Sequence, residues 1–478
     1  MKNLKIYSAG IFIVNPIIIT QMDLISLLSR LPIELQYLVT NYNHGVLFIL
    51  PKSELAKYDW FRLLNMNFSL TYDKSIFTNE QIMKVYLDNL IARKLKIICH
   101  EDFTVIKLTD GSLMVRGCDV YGQFGEINKM ISAFKEVAGV PKNVADVICG
   151  KYYTMIRLRD GTLMSSGCNE NGQLGLGDNL SRTSFSVIDP VGCGIVEMVC
   201  GHSHTIIRLT DGTLMGCGAN YNGQLGLGDY VDKYRFREII GIPKNIEAVM
   251  CGQWHTMIRL TDGTLMSTGY NFYGQLGLGD EKPRNVFKKI PRVPKNIAKV
   301  ICHGYHTFIQ LTNGTLMSCG YNLYGQLGLG SNEDKNYFSV VKRIPTNIAE
   351  VVGNNNYTII RFTDGKLFAC GYNGDRQLCL GDYSNRNIFT EITDMPKNIA
   401  QVICLLHRTI IRLTDGTLIN HPVIKYAQKM AEIPKNIADI LAGHSRPIVR
   451  LTDGTLLVGG YDGYEQIPEI PKILCLSD

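Results

Sequence analysis

Short apolar runs alternate with tight polar turns along most of the chain, and the alternation is periodic. One stretch reads His204-Thr-Ile-Ile-Arg-Leu-Thr-Asp-Gly-Thr-Leu-Met-Gly-Cys-Gly218. Apolar and β-branched residues flank an Asp-Gly dipeptide there, and glycine supplies the positive φ that a tight hairpin turn needs, so the pattern predicts two paired strands. The same turn recurs at Asp110, Asp160, Asp211, Asp262, Asn313, Asp364, Asp415 and Asp453, with spacings of 50, then 51 five times, then 38 residues. Each hairpin is followed by a Gly-rich loop such as 220–229, a polar stretch, a turn such as Ile242-Pro243-Lys244-Asn245, and a further apolar strand such as 248–252. Four short strands per period without a helical pattern predict the blades of an all-β propeller and disfavour helical solenoids.

The repeat G-x-x-H-T-x-x-L-x-D-G-x-L-x-x-x-G-x-N-x-x-G-Q-L-G-x-G-D is clearest over Gly201–Asp229, Gly252–Asp280 and Gly304–Gly330. It resembles the repeat of the regulator of chromosome condensation (RCC1-type) family. The resemblance implies a seven-bladed β-propeller of four-stranded sheets. Eight hairpins leave eight blades as the alternative. The terminal copies are degenerate: the first has only Gln123-Phe124-Gly125, the seventh replaces the Gly-rich loop with Asn420-His421-Pro422, and the last ends in Tyr464-Glu465-Gln466.

Residues 1–95 share no repeat and form a separate region of helical or mixed character; residues 96–478 form the propeller. Leu31, Pro32, Glu34 and Leu35 lie in a segment similar to the opening of an F-box, the module that docks on a ubiquitin-ligase adaptor. Asn79 ahead of Ile82, Val85, Tyr86 and Leu90 reads as the cap of an amphipathic helix leading into the array. Lys2 and Lys5 before the apolar run 6–20 suggest a signal peptide, but Asn15-Pro16 interrupts it and no small-residue cleavage site follows.

Composition changes this picture little. The net charge of +6 over 478 residues permits an acidic partner without demanding one. The 14 cysteines mostly fall into two series in phase with the repeat and form no Cys-x-x-Cys pair, which marks them as small core residues in a reducing compartment rather than disulfides or zinc ligands. Richness in Asn, Ile, Lys and Tyr resembles repeat proteins from AT-rich genomes, such as those of protists and giant DNA viruses.

Three constellations invite chemistry. His204, His255 and His306 share one repeat position, but successive copies sit a blade apart and aromatic residues replace them in other copies, so they read as architecture rather than metal ligands. The Gly-rich loops lack the Gly-Lys-Ser/Thr ending and following helix of a phosphate cradle. The third is a cationic series three residues before the turns: Lys107, Arg157, Arg208, Arg259, Arg361, Arg412 and Arg450, with Gln310 the uncharged exception. A propeller sets these in a ring, a candidate surface for phosphates or an acidic chain. The competing reading pairs each with a nearby carboxylate, the turn Asp being the nearest in sequence; Gln310 and Asn313 lose both charges together. A second basic series, Lys142, Lys244, Lys295, Lys397 and Lys435, occupies the interblade turns.

No nucleophile elbow, paired-carboxylate site or metalloprotease helix is present in the sequence. The expectation is therefore a monomeric, non-catalytic protein-interaction scaffold without cofactor or membrane association, cytoplasmic or nuclear, and a substrate-recruiting adaptor if the F-box resemblance holds. Guanine-nucleotide exchange on a small GTPase is the alternative that the resemblance implies, although the uniform spacing leaves no room for the inserted wedge attributed to the founding member. Chromatin or nucleic-acid binding through a basic face is a third.

Overall fold

The structure is a computed structural model that describes residues 57–63, 78–79, 82–83, 96–99, 103–108, 110–125, 129–192, 194–405, 407–421, 437–441, 448–451, 456–459 and 464–466, with two short strands at Ile13–Val14 and Ile17–Ile18. The chain divides into two compact units, Met1–Ile91 with Leu476–Asp478, and Ala92–Cys475. In the first unit, Asn79 Oδ1 accepts from the Trp60 backbone N–H at 3.0 Å and Asn79 Nδ2 donates to the Tyr58 carbonyl at 2.8 Å. The Ile82 N–H donates to the Thr78 carbonyl at 3.1 Å. Asn79 thus clips the Tyr58–Trp60 segment, instead of capping its own helix, because the helix already starts one residue earlier.

The second unit is a seven-bladed β-propeller. Its four-stranded antiparallel sheets occupy 96–136 (blade 1), 144–187 (blade 2), 195–238 (blade 3), 246–289 (blade 4), 297–340 (blade 5), 348–391 (blade 6) and 437–466. Among the described residues a three-stranded sheet at 399–421 precedes the last; formed by the hairpin copy whose Gly-rich loop is lost from the sequence, it is a partial sheet in addition to the seven four-stranded blades.

Within a blade the strands run in chain order across the sheet, and the first strands of neighbouring blades meet at the centre. There, Lys96 Nζ of blade 1 lies 2.6 Å from Asp146 Oδ1 of blade 2, and Cys200 Sγ lies 3.0 Å from the Cys149 carbonyl. The second strand is apolar on both sides because both sides are covered. Ile206 packs with Ile246, Val249 and Ile258 of blade 4, while its neighbour Ile207 packs with Ile148, Met155 and Leu163 of blade 2. The core is therefore a series of slabs between blades. The cysteines among the described residues are free, and most sit in or against these slabs.

The glycines of the Gln-Leu-Gly-Leu-Gly loops make that packing close. Gly226 has φ +71, and a Cβ there would stand 2.6 Å from the Phe287 ring of blade 4. Beyond it the loop joins the next sheet, with Leu227 bridged to Val286 and the Gly228 N–H donating to the Asn285 carbonyl at 2.7 Å.

Candidate interaction faces of the propeller

Antiparallel order sends alternate connections to opposite ends of the blades. One end carries the loops between strands one and two (201–203 in blade 3) and the Gly-rich loops between strands three and four. The other carries the Asp-Gly hairpin turns and the Pro-Lys-Asn interblade turns. The Gly212 and Lys244 turns adjoin each other at this second end, where Lys244 Nζ lies 3.2 Å from Asp211 Oδ2.

The Gly-rich loops are held from within. Asn220 Oδ1 accepts from the Leu225 N–H at 3.0 Å, and its Nδ2 donates to the Asp229 carbonyl at 3.0 Å. Gln224 Oε1 accepts from the Asn222 N–H, and the same staples recur at Asn271 with Gln275 and at Asn322 with Gln326. The residue just after each Asn is left facing outward: Tyr221 is 50% exposed, Phe272 57% and Leu323 55%. Phe272 begins a run of ring contacts through Tyr270, Tyr273, Tyr321 and Tyr324 to Tyr372, with centroid separations of 4.9 to 6.3 Å. Beside it, Trp254 lies 4.3 Å from His202 and 5.6 Å from Tyr221. Burial of its hydroxyl, with Asp232 and Tyr305 adding to the effect, pushes Tyr221 up to about 12. Blades 3 to 6 thus share an apolar, aromatic arc at one end, of the kind that marks interaction sites. The sequence signal for it was the run of apolar side chains at loop positions that the turn chemistry leaves free.

The cationic series has a different place. Arg208 stands opposite Glu197 on the first strand of its own blade, with Nε 2.8 Å from Glu197 Oε2, and its Nη1 donates to the Ile246 carbonyl of blade 4 at 3.3 Å. Arg259 stands opposite Ala248 and pairs instead with the preceding Glu247 at 2.6 Å, while also donating to the Ile297 carbonyl at 3.1 Å. Arg361, 1% exposed, pairs with Glu350 at 3.4 Å; Arg412 reaches Gln401 at 3.4 Å; Arg450 is buried opposite Asp439. Arg157 faces Asp146, and Lys107 faces Lys96, which itself bonds Asp146. Arg208 and Arg259 thereby brace their blades against the next. Their partners lie on the first strand, not at the turn. The turn aspartates instead accept from their own turns, as Asp211 does from the Thr213 N–H at 3.0 Å. Gln310 fits the scheme too: the residue opposite it is Lys299, and its Nε2 still reaches the Ile348 carbonyl at 3.3 Å.

Of the three histidines, His204 is an interblade brace, while His255 and His306 are buried at the same position without a hydrogen bond to the next blade among the described residues. His204 Nε2 lies 3.1 Å from Thr256 Oγ1, and at the same position Tyr153 reaches Thr205 and Tyr357 reaches Thr409 with their hydroxyls. Among the described residues no group of His, Cys, Asp and Glu could hold a metal ion. Leu31, Pro32, Glu34 and Leu35 lie outside the described residues.

Sequence profiles of the regulator of chromosome condensation (RCC1) repeat match residues 160–207, 211–259 and 262–310, with a second profile of the same description at 195–224 and 246–275. The ultraviolet-B receptor UVR8 of Arabidopsis thaliana is 33% identical over 196 residues, covering 40% of this chain and 44% of the receptor. The human probable E3 ubiquitin-protein ligase HERC4 is 35% identical over 301 residues, 60% of this chain but only 28% of the ligase. The chain thus spans less than half of either relative. Among solved structures, human WBSCR16 aligns with a TM-score of 0.54 at 20% identity, covering 66% of this chain and 87% of that one. Yeast RCC1 (Prp20), solved with Kap60, aligns at 0.54 and 17% identity over 65% and 78%. Both share the propeller fold. The period, the loop staples and the profile matches agree: the chain carries regulator of chromosome condensation repeats over residues 160–310 and is similar to the proteins built from them.

Proposed function

We propose that this chain is a non-catalytic protein-interaction scaffold that docks its partner on the aromatic end of blades 3 to 6. The observation that carries this reading is the exposed series Tyr221, Phe272 and Leu323, three apolar side chains at one repeat position on rigidly stapled loops. Preorganised aromatic and aliphatic anchors of this kind bind partners with little ordering cost. The likeness to a probable ubiquitin ligase, and the F-box-like segment around Leu31 and Pro32, support a finer version in which the scaffold recruits a client to a ligase adaptor.

Affinity capture from cells with the full chain tests both. Substituting Phe272 and Leu323 by Asp removes the client while leaving the fold intact, and substituting Leu31 and Pro32 removes the adaptor but not the client. A client retained on the Phe272 and Leu323 variant ends the proposal. A guanine-nucleotide exchange role, suggested by the fold shared with yeast RCC1, is separated by nucleotide release from a Ran-type GTPase, for which no acceleration is expected.

A further inference from the structure

The opposite end of blade 4 differs from its sister blades. A cavity of about 410 Å³ opens there, lined by Leu265, Ile290, Val293, Lys289, Arg292 and Lys295 among others. Its floor is apolar and its rim is cationic. Lys289, Arg292 and Lys295 are all exposed, as is the adjoining Lys288. Lys295 is paired with Asp262 at 2.6 Å, whereas Lys288, Lys289 and Arg292 form no ion pair among the described residues.

The repeat supplies an internal control. The position of Lys289, opposite Met266, is held by Glu238 in blade 3, Val340 in blade 5 and Glu391 in blade 6. The position of Arg292 is held by Gly139 and Gly241 in two other copies, at φ +74 and +77, by Arg343 at φ +61 after blade 5, and by Asp394 after blade 6. In blade 6 the positions of Lys289 and Arg292 are held by Glu391 and Asp394, which line a differently placed cavity together with Arg386 and Ile419. Arg292 keeps the left-handed backbone of the glycines at φ +59, a conformation that costs a side-chain-bearing residue about 1 kcal/mol or more. Architecture alone is better served by glycine at this turn. A strained, exposed and unpaired arginine at the mouth of an apolar pocket fits a binding role.

We infer that this pocket is a docking site for an acidic peptide, taking one apolar side chain against Leu265, Ile290 and Val293 and the flanking carboxylates against Lys289 and Arg292. The charge pattern selects a peptide over nucleic acid. A nucleic-acid strand needs cations spaced along many phosphates, and here the exposed cations extend only to Lys342 and Arg343 after blade 5 and give way to Glu238 in blade 3 and to Glu391 and Asp394 in blade 6. The site is at the opposite end from the aromatic arc and stands independently of the role proposed for it.

Fluorescence anisotropy with the full chain tests this, using a labelled peptide with a central leucine between two pairs of glutamates. The controls are its all-glutamine counterpart and a labelled 20-mer single-stranded oligonucleotide. The acidic peptide is expected to bind, with affinity falling tenfold or more in Lys289→Glu and about fivefold in Arg292→Gly, each lost contact of this class being worth roughly a factor of ten. Arg292→Gly restores the residue of two sister copies and relieves the backbone, so its melting temperature stays equal or rises, which separates lost binding from lost folding. No peptide binding, or equal affinity for the glutamine peptide, overturns the inference. So does tighter binding of the oligonucleotide that the same two substitutions abolish, an outcome that assigns the patch to nucleic acid.

Discussion

His204 Nε2 of blade 3 sits 3.1 Å from the Thr256 hydroxyl of blade 4, and the His204 ring lies over Gly201, where a Cβ would stand 2.1 Å from the ring. The same glycine-and-ring arrangement holds Tyr153 over Gly150, with its hydroxyl 2.8 Å from Thr205. A ring that packs on its own blade and bonds the next is a brace, and either imidazole or phenol performs it. His204→Tyr is therefore expected to leave the melting temperature almost unchanged. His204→Ala loses about 1–3 kcal/mol through the lost hydrogen bond and the space left behind. Denaturant titration of the two variants checks the order.

The buried imidazoles also set a pH dependence. Burial holds His204 down to about 3, and His255 and His303 to about 4, so all three are neutral in the folded protein. Unfolded histidine protonates near pH 6.5. Below that, the unfolded chain binds protons that the folded one does not, and stability falls with decreasing pH by up to about 1.4 kcal/mol per unit for each histidine until its folded value is reached. Asp119, raised to about 6 by burial, acts in the opposite sense between roughly pH 4 and 6 and offsets one histidine there. The net expectation is full stability above about pH 6.5 and a steep loss between 6 and 4. His255→Tyr flattens the slope, which melting temperatures across that range measure.

Arg361 is nearly buried and faces Glu350, so Glu350→Ala removes one carboxylate from a buried guanidinium and is expected to lower stability, by up to about 3 kcal/mol. Arg259→Gln is milder than Arg259→Ala, because glutamine at the equivalent site, Gln310, keeps the bond to the next blade's carbonyl. Charge reversal at Arg208 and Arg259 is expected to lower the melting temperature, and any accompanying loss of anion binding then reports on folding. Calorimetry of these variants decides it.

Gly226 and Gly279 both have positive φ, +71 and +92, yet only Gly226 abuts a ring, that of Phe287; nothing stands within 4 Å of a Cβ at Gly279. Gly226→Ala combines backbone strain with overpacking and costs about 2–5 kcal/mol, whereas Gly279→Ala costs about 1–2. Equal losses in a denaturant series would refute the close-packing account of these loops.

The chain has two tryptophans, Trp60 fully buried and Trp254 partly exposed on the aromatic end. Acrylamide quenches one class of emission and spares the other, and Trp254→Phe leaves only the blue-shifted, protected signal. Partner docking on the aromatic arc shields the quenchable class.

Much of the propeller was legible because its signals are local. Asp-Gly turns fix hairpins, and the 51-residue spacing fixes where each blade begins. The degenerate seventh copy was also visible, and the three-stranded sheet lies there. The pairing of the arginines was not legible. Nearness along the chain points Arg208 to Asp211, three residues on, but antiparallel register with a bulge after Ile195 sets Arg208 opposite Glu197, and the turn Asp is occupied by the amides of its own turn. The correlated change at Gln310 is likewise explained by Lys299 across the strand as well as by Asn313 in the turn.

By itself the sequence determined the repeat, the strand pattern and the family resemblance, all of which rest on interactions within a few residues or on self-similarity. Tertiary structure decided which side chains are braces and which are surface. Arg208 and Arg259, read from the sequence as part of a ring of cations, became struts between blades, while Tyr221, Phe272 and Leu323 became an exposed arc. The physical reason is that exposure depends on the neighbouring blade, about 51 residues away, whose strands cover one side chain and leave the next in water.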